Sequence, residues 1–335
     1  MADIAKHLGV SRQLVSIVLR DVPGASDETR KRVKDAAQEL GFSAHVGARS
    51  LRRTQSRDLG VIFAPAHVNE HEIVEAIYPV AAERGFDVIL TAQTSTRGTQ
   101  QAVEELIGHR CAALVVIGSN LNHGELRRLT ERTPVPVVDV GYGRLNRFYD
   151  VVRSSGDRGI SDMVDHLVQL GHRDIAYVNP ESMPPATVRL RGYDRAMKRH
   201  GLSADVIAMP GDYTMGGYFE EAGAGGAKLL LERPSMPTAV VVPNDGAAFG
   251  VLQTLVRSGV RVPEDVSVTG FDDAPLARLS SVDLTTVRQD PYLLGLAAVS
   301  AAARRVADPG VDPEETVVPT SLVIRSSAGV PRVAG

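Results

Sequence analysis

At 335 residues the chain is longer than one hydrophobic core usually fills, so two or more domains are expected. With 43% hydrophobic and 23% charged residues it is not a disordered polymer, and one cysteine excludes both a disulfide framework and a cysteine-based zinc site. The formal net charge of −3 hides an asymmetry: residues 1–57 hold eleven Lys and Arg against six Asp and Glu, whereas 58–335 hold 26 against 34. A basic head on an acidic body suits a protein of which one part meets phosphates. Cys111 sits in the apolar run 111–117, where a small buried hydrophobe is the plain reading. No stretch approaches the roughly 18 consecutive apolar residues of a membrane span. The N-terminal residues have no apolar signal core either, so the expectation is a cytoplasmic protein with no membrane partner.

Residues 3–8 read as a short helix with Asp3 in its first turn, ended by Gly9. Ser11 caps a second helix running to about Arg20. Leu14, Val15 and Val18 fall on one face of it, and Arg12, Gln13, Ser16, Ile17 and Arg20 on the other. After the loop 21–25, Ser26 opens a third helix with the stripe Val33, Ala36, Ala37 and Leu40. Three short helices, a glycine turn between the first two, and long polar donors on the second make a helix-turn-helix pattern. A bare three-helix interaction module is the alternative, and the basic charge with the Arg12–Gln13 pair counts against it.

These residues carry a resemblance. The stretches 3–11, 14–19, 25–30 and 33–42 closely resemble the head of the lactose-repressor (LacI/GalR) family, and Ala48-Arg-Ser-Leu51 resembles that family's hinge helix. The resemblance implies a head over 1–44, a hinge over 45–57, and a pseudo-palindromic double-stranded DNA operator bound by a homodimer. It also implies that Leu51 wedges into the minor groove at the operator centre. A residue of a plain linker is the alternative for Leu51. The chain departs from the family at Leu14, Ile17, Arg20, Ala44 and His45, changes that bear on which bases are read. At Ile17 an apolar side chain replaces the usual arginine, so an A·T pair is expected where relatives prefer G·C. The lead before Asp3 is short for the family, which leaves room for a start upstream.

From residue 59 onward, apolar runs at 59–64, 86–91, 113–118, 135–140, 175–179, 206–209, 239–243 and 266–270 alternate with helical stretches. Those stretches include 72–84, 160–170, 191–200, 225–232 and 247–258. Continuous apolar strands between amphipathic helices predict an α/β body with parallel sheets covered on both faces. There are too many units for one sheet, so two lobes enclosing a cleft beyond the strand ends are expected. The motifs 166–176, 189–193, 244–245, 259–273 and 284–290 extend the family resemblance, which implies a periplasmic-binding-protein-like body over 58–335. Its first lobe would span about 58–153 plus the C-terminal stretch, and its second about 155–285. Residues 324–328 resemble the family's last strand. No apolar heptad follows, so a dimer is the default.

Carried over position by position, Asp139, Arg189, Tyr213, Asn244 and Asp272 are the candidate effector-binding residues. A carboxylate accepts two vicinal hydroxyls, a guanidinium donates to ring and hydroxyl oxygens, and an aromatic stacks on a sugar face. A turn or loop cap at Asp139 or Asp272, and core packing at Tyr213, are the alternatives. The expected effector is a sugar or sugar derivative. The loop 65–71 should line the cleft mouth. Within it His67-Val-Asn-Glu-His71 fits an inverted zinc-protease pattern, but a proline and a preceding strand argue against two imidazoles on one helix. No catalytic residue, cofactor or metal is expected. The rivals are a sugar receptor without regulatory DNA binding, which the basic head argues against, and an enzyme with Asp139 and Asp272 as acid and base.

Overall fold

The computed structural model describes residues 1–19, 22–40, 56–119, 121–179, 184–209 and 219–332, and the chain divides into two units, 1–56 and 57–335.

In the first unit, α1 (Ala2–Leu8), α2 (Arg12–Leu19) and α3 (Asp27–Glu39) enclose a core of Ile4, Ala5, Val15, Val18, Val33, Ala36 and Ala37. Gly9 ends α1 at φ 66°, with its N–H donating to Ala5 O; a side chain there would strain the turn. Ser26 caps α3 by accepting the Thr29 N–H at 3.3 Å. Arg30 ties the preceding loop down by donating to the carbonyls of Val22 (2.5 Å) and Ala25 (3.3 Å). Leu40 was expected in the α3 stripe but is exposed, because the helix has already ended at Glu39.

The first lobe of the second unit is built from β1 (Asp58–Phe63), α4 (Val68–Glu83), β2 (Asp87–Ala92), α5 (Thr99–Gly108), β3 (Ala113–Ile117), α6 (His123–Glu131), β4 (Val137–Val140) and β5 (Asp150–Ser154). The second comprises α7 (Gly156–Leu170), β6 (Ile175–Asn179), α8 (Pro184–Arg199), β7 (Asp205–Ala208), α9 (Phe219–Leu231), β8 (Ala239–Val241), α10 (Asp245–Arg257) and β9 (Ser267–Thr269). A 3₁₀ turn (Pro275–Arg278) and β10 (Thr286–Gln289) follow. The chain then returns through α11 (Pro291–Ala307) and β11 (Glu315–Val318) and ends in β12 (Thr320–Val323). The first sheet runs β11-β5-β4-β3-β1-β2 and the second β7-β6-β8-β9, every pair parallel. Every residue of β3, β4, β8 and β9 is buried, the mark of strands covered by helices on both faces. The glycine-rich run 223–226 is a packing device. A Cβ at Gly223 would lie 1.9 Å from Ala247 O, and one at Gly250 would lie 1.8 Å from Glu220 O, so α9 and α10 touch backbone to backbone.

The C-terminal stretch expected in the first lobe is in fact divided. Helix α11 and β11 join the first sheet, but β12 pairs antiparallel with β10, since β11 already fills the edge beside β5. The last strand is Thr320–Val323, not 324–328; those residues form a strap on the second lobe. Ser327 Oγ donates to Val268 O (2.6 Å), the Gly329 N–H to Ser267 Oγ (3.0 Å), and His172 Nε2 to Gly329 O (2.8 Å). The chain therefore crosses between lobes three times, near Ser155, Asp290 and Pro319. These crossings are laced together: the Ser155 N–H reaches Val318 O at 2.9 Å, the Thr320 N–H reaches Ser155 Oγ at 3.1 Å, and Gln289 pairs with Thr320.

Candidate functional site

On α2, Ser11 Oγ accepts the Leu14 N–H at 3.1 Å and so spends itself as the helix cap. Arg12 and Gln13 stand fully exposed in the first turn, where a recognition helix meets base edges. Ser16 and Ile17 are half-buried. Ile17 lies beside the following loop: its carbonyl accepts the Val22 N–H at 3.1 Å, and a Cβ on Gly24 would sit 3.6 Å from its side chain. Arg20 and Leu51 lie outside the described residues.

In the body, Arg189 on α8 points under the second sheet's strand ends. Its guanidinium donates to Pro243 O and, at 3.4 Å, to Asp272 Oδ1, and it lies flat on the Phe271 ring, 3.7 Å from the centroid. Gln289 Nε2 donates to the same Asp272 oxygen at 2.6 Å. Asp272 and Asp273 take φ of 121° and 55°, an unusual pair of left-handed residues. The turn is pinned from beneath by the fully buried Asp245, whose carboxylate accepts the Ala274 N–H (2.7 Å) and the Thr286 hydroxyl (2.6 Å). Burial outweighs the attraction of Arg189 and lifts the Asp272 carboxyl to about 6. The amide oxygen of Asn244 accepts the Ala247 N–H at 2.8 Å, so it caps α10 one residue from the carbonyl that Arg189 holds.

The first lobe supplies the facing wall. Asp139 lies within β4 and not after it; it is buried, and burial pushes its carboxyl up to about 7. His67 N-caps α4, and its Nδ1 lies 2.8 Å from Glu70 Oε1, whose other oxygen accepts the Ala64 N–H at 2.6 Å. Gly118 makes room for that carboxylate: a Cβ would overlap Glu70 at 2.1 Å. Burial opposes the imidazolium of His67, but the hydrogen bond and charge of Glu70, helped by Asp272, raise its pKa; burial also raises that of Glu70. The two are hydrogen-bonded partners, so their titrations are linked. The His67 ring also meets Phe219 of the other lobe, 5.2 Å between centroids, whereas His71 sits edge-on to Phe63. The two imidazoles have different partners, and no group of three possible metal ligands occurs among the described residues. At the rim, Arg278 of the second lobe grips Glu72 of the first with two bonds, 3.0 and 3.2 Å.

Arg189, Asp272 and the neighbouring Asn244 thus come together, whereas Asp139 lies in the first lobe, lining a cavity with Tyr142. Tyr213 lies outside the described residues. Tyr142, not singled out in the sequence, joins the two walls. The residue is 36% exposed, and the charges of Arg189, Asp272, Glu70 and Asp139 all act on its hydroxyl. Its signal was local: an aromatic between two glycines directly after a buried strand. Gln289 and Glu70 complete a cavity with it. The lining can accept and donate to several hydroxyl groups at once.

Residues 1–44 match the model of bacterial regulatory proteins of the lacI family, and 164–328 match a periplasmic binding protein-like domain. The ribose operon repressor of Escherichia coli (strain K12) is 30% identical over 336 residues, 98% of this chain and 99% of that repressor. A LacI transcriptional regulator from a Rhodococcus species has 38% identity and a TM-score of 0.76, over 83% of this chain and 100% of that one. The lac repressor dimer bound to operator and the anti-inducer ONPF superposes with a TM-score of 0.81 at 28% identity, over 98% of both chains. Every named relative is a transcriptional regulator, and no helix among the described residues is long and apolar enough to cross a membrane. With such coverage at both ends, the chain belongs to the LacI family of bacterial regulatory proteins.

Proposed function

We propose that this protein is a cytoplasmic repressor, without enzymatic activity, that binds a pseudo-palindromic operator as a homodimer. A small polar effector, a sugar or sugar derivative, controls its grip on DNA. One observation carries the reading: a single chain joins a recognition helix with Arg12 and Gln13 exposed to a two-walled cleft lined by Arg189, Asp272, Asp139 and Tyr142. Arg12 gives two hydrogen bonds to guanine and Gln13 pairs with adenine, while Ile17 offers a thymine methyl only its apolar surface. Leu51 wedges the operator centre, and Tyr213 and Asn244 complete the effector site.

Operator binding should weaken steeply with salt, because each phosphate contact releases condensed counterions. The body from residue 58 should still fold and bind effector, but not DNA. A salt-independent affinity, or operator binding by the truncated body, would overturn the assignment of the head. Selection from random DNA with the wild type and Ile17→Arg checks the base reading; identical half-sites would show that Ile17 reads nothing.

A further inference from the structure

Among the described residues, the charges set back from solvent in the cleft pair off, with one exception. Arg189, which is buried, faces Asp272, whose side chain is 10% exposed. His67 and Glu70 lie 2.8 Å apart, each the other's partner. Asp273, just behind, is matched by Arg325 at 2.7 Å and Arg278 at 3.4 Å. Asp139 has no cation within ion-pair reach among the described residues, yet only 4% of it is exposed. One of its oxygens is wrapped by backbone: Gly143 donates an N–H to the carboxylate, and a Cβ there would come within 2.7 Å of Oδ2.

The carboxylate lines a first-lobe cavity of about 240 Å³ shared with Ser119, Asn122, His123, Tyr142 and Arg144, and Tyr142 also lines the neighbouring cavity that Gln289 reaches. None of these neutralises it. His123 Nδ1 is engaged by the Tyr149 hydroxyl at 2.8 Å, the Asn122 amide oxygen caps α6, and Arg144 stands exposed at the rim. The body's remaining segments supply no cation either: 120, 180–183 and 210–218 contain no Lys or Arg and two acids. A buried carboxylate without a counterion is costly, and a ligand that brings one removes the cost. An anionic ligand would do the reverse, since the guanidinium of Arg189 is already divided between a carbonyl, a carboxylate and a ring.

We propose that the effector is a polyhydroxylated amine, with its ammonium group against Asp139 and its hydroxyls against the Arg189–Asp272 wall, and that phosphorylated or carboxylated sugars are rejected. The inference rests on the reading of the cleft as the effector site.

The minimal probe is a matched pair: Tris, and tris(hydroxymethyl)ethane, which carries a methyl where Tris has its ammonium. Binding to the full-length chain is measured calorimetrically at neutral pH and constant ionic strength. Tris should bind about tenfold tighter or better, the scale of one charge-assisted hydrogen bond pair. Asp139→Asn should level the two, and Asp139→Glu should restore part of the preference. Equal affinities, or no binding of either, overturn the proposal.

A second arm compares glucose, galactose and mannose with their 2-amino and 6-phosphate derivatives. The amino form should bind tightest in any series that binds, and a neutral or phosphorylated form binding tightest overturns the proposal. If that tighter binding is lost in Arg189→Ala, the cleft stands as the effector site and only the charge assignment falls. If binding survives both Arg189→Ala and Asp272→Ala, the site itself is misplaced.

Discussion

Among the described residues, Asp272, Asp273 and Asp245 of the second lobe are each held by two donors, whereas Asp139 of the first lobe meets one backbone amide. Asp272 accepts from Arg189 and Gln289, Asp273 from Arg325 and Arg278, and Asp245 from Ala274 and Thr286. The bonds on the second-lobe wall are made wholly within the protein, so it is pre-organised. The other wall holds a polar group whose partners must arrive with the ligand. Orientation therefore comes from the saturated wall and discrimination from the unsaturated one, because only an unmet group gains a new bond on binding.

The largest expected effect tests whether Asp139 is unmet. Its folded carboxyl titrates near 7, against an ordinary value near 3.8. Between those two pH values the folded chain keeps a proton that the unfolded chain has released, so stability should fall as pH rises from about 4 to about 7. Asp139→Asn removes that loss. Without ligand, the variant should gain up to about 4 kcal/mol over the wild type at pH 8 and almost nothing at pH 4. Urea unfolding at both pH values measures it; an equal difference at the two would show that Asp139 is satisfied after all.

Next comes the saturated wall. Asp245→Ala would leave the Ala274 N–H and the Thr286 hydroxyl unpaired in the core, at a cost of about 2–4 kcal/mol. Asp245→Asn, which keeps one acceptor, should fall between it and the wild type. An Asp245→Ala variant as stable as the parent would mean that the turn holds itself. The smallest effect is at the rim: Glu72→Ala breaks a half-exposed ion pair and leaves Arg278 on Asp273, so stability should drop by about 1 kcal/mol or less. Small-angle scattering of the ligand-free variant should nevertheless show a more open body, and an unchanged profile would rule out this pair as a tie between lobes.

Different parts of this molecule were legible in the sequence for different physical reasons. Strands such as β3 and β8 stand out because burial on both faces demands uninterrupted Val, Ile, Leu and Ala. Strand β5 does not, since Asp150 and Arg153 interrupt it; both are paired, Asp150 with Arg304 and Arg305, and Arg153 with Glu315. Helix α11 escapes because its buried face is largely alanine and glycine, which leaves little apolar contrast. The strap over 324–328 has only Ile324 and Ala328 as apolar residues, and it meets β9 at a single residue, where the Val268 N–H donates to Ser327 O and Ser327 Oγ donates to Val268 O. In the site, Arg189 and Asp272 were found through a motif. Tyr142, Glu70 and the laced Gln289 belong to the cleft only because the fold brings 70, 142 and 289 together, a juxtaposition no local pattern encodes.

The three laced crossings set the mechanics of the body. Two bodies joined by one flexible segment can twist, slide and swing, but three segments bonded side by side suppress all but rotation about the line joining them. Opening and closing are then a single coordinate, like a door on a pinned axle. Gln289 sits on the axle and touches Asp272, so it moves little as the door swings. Glu72 and Arg278 bond the two leaves to each other across the cleft. A ligand too small to draw the edges together can occupy the axle side and leave the door ajar, so ligand size, and not only affinity, decides how far the body closes.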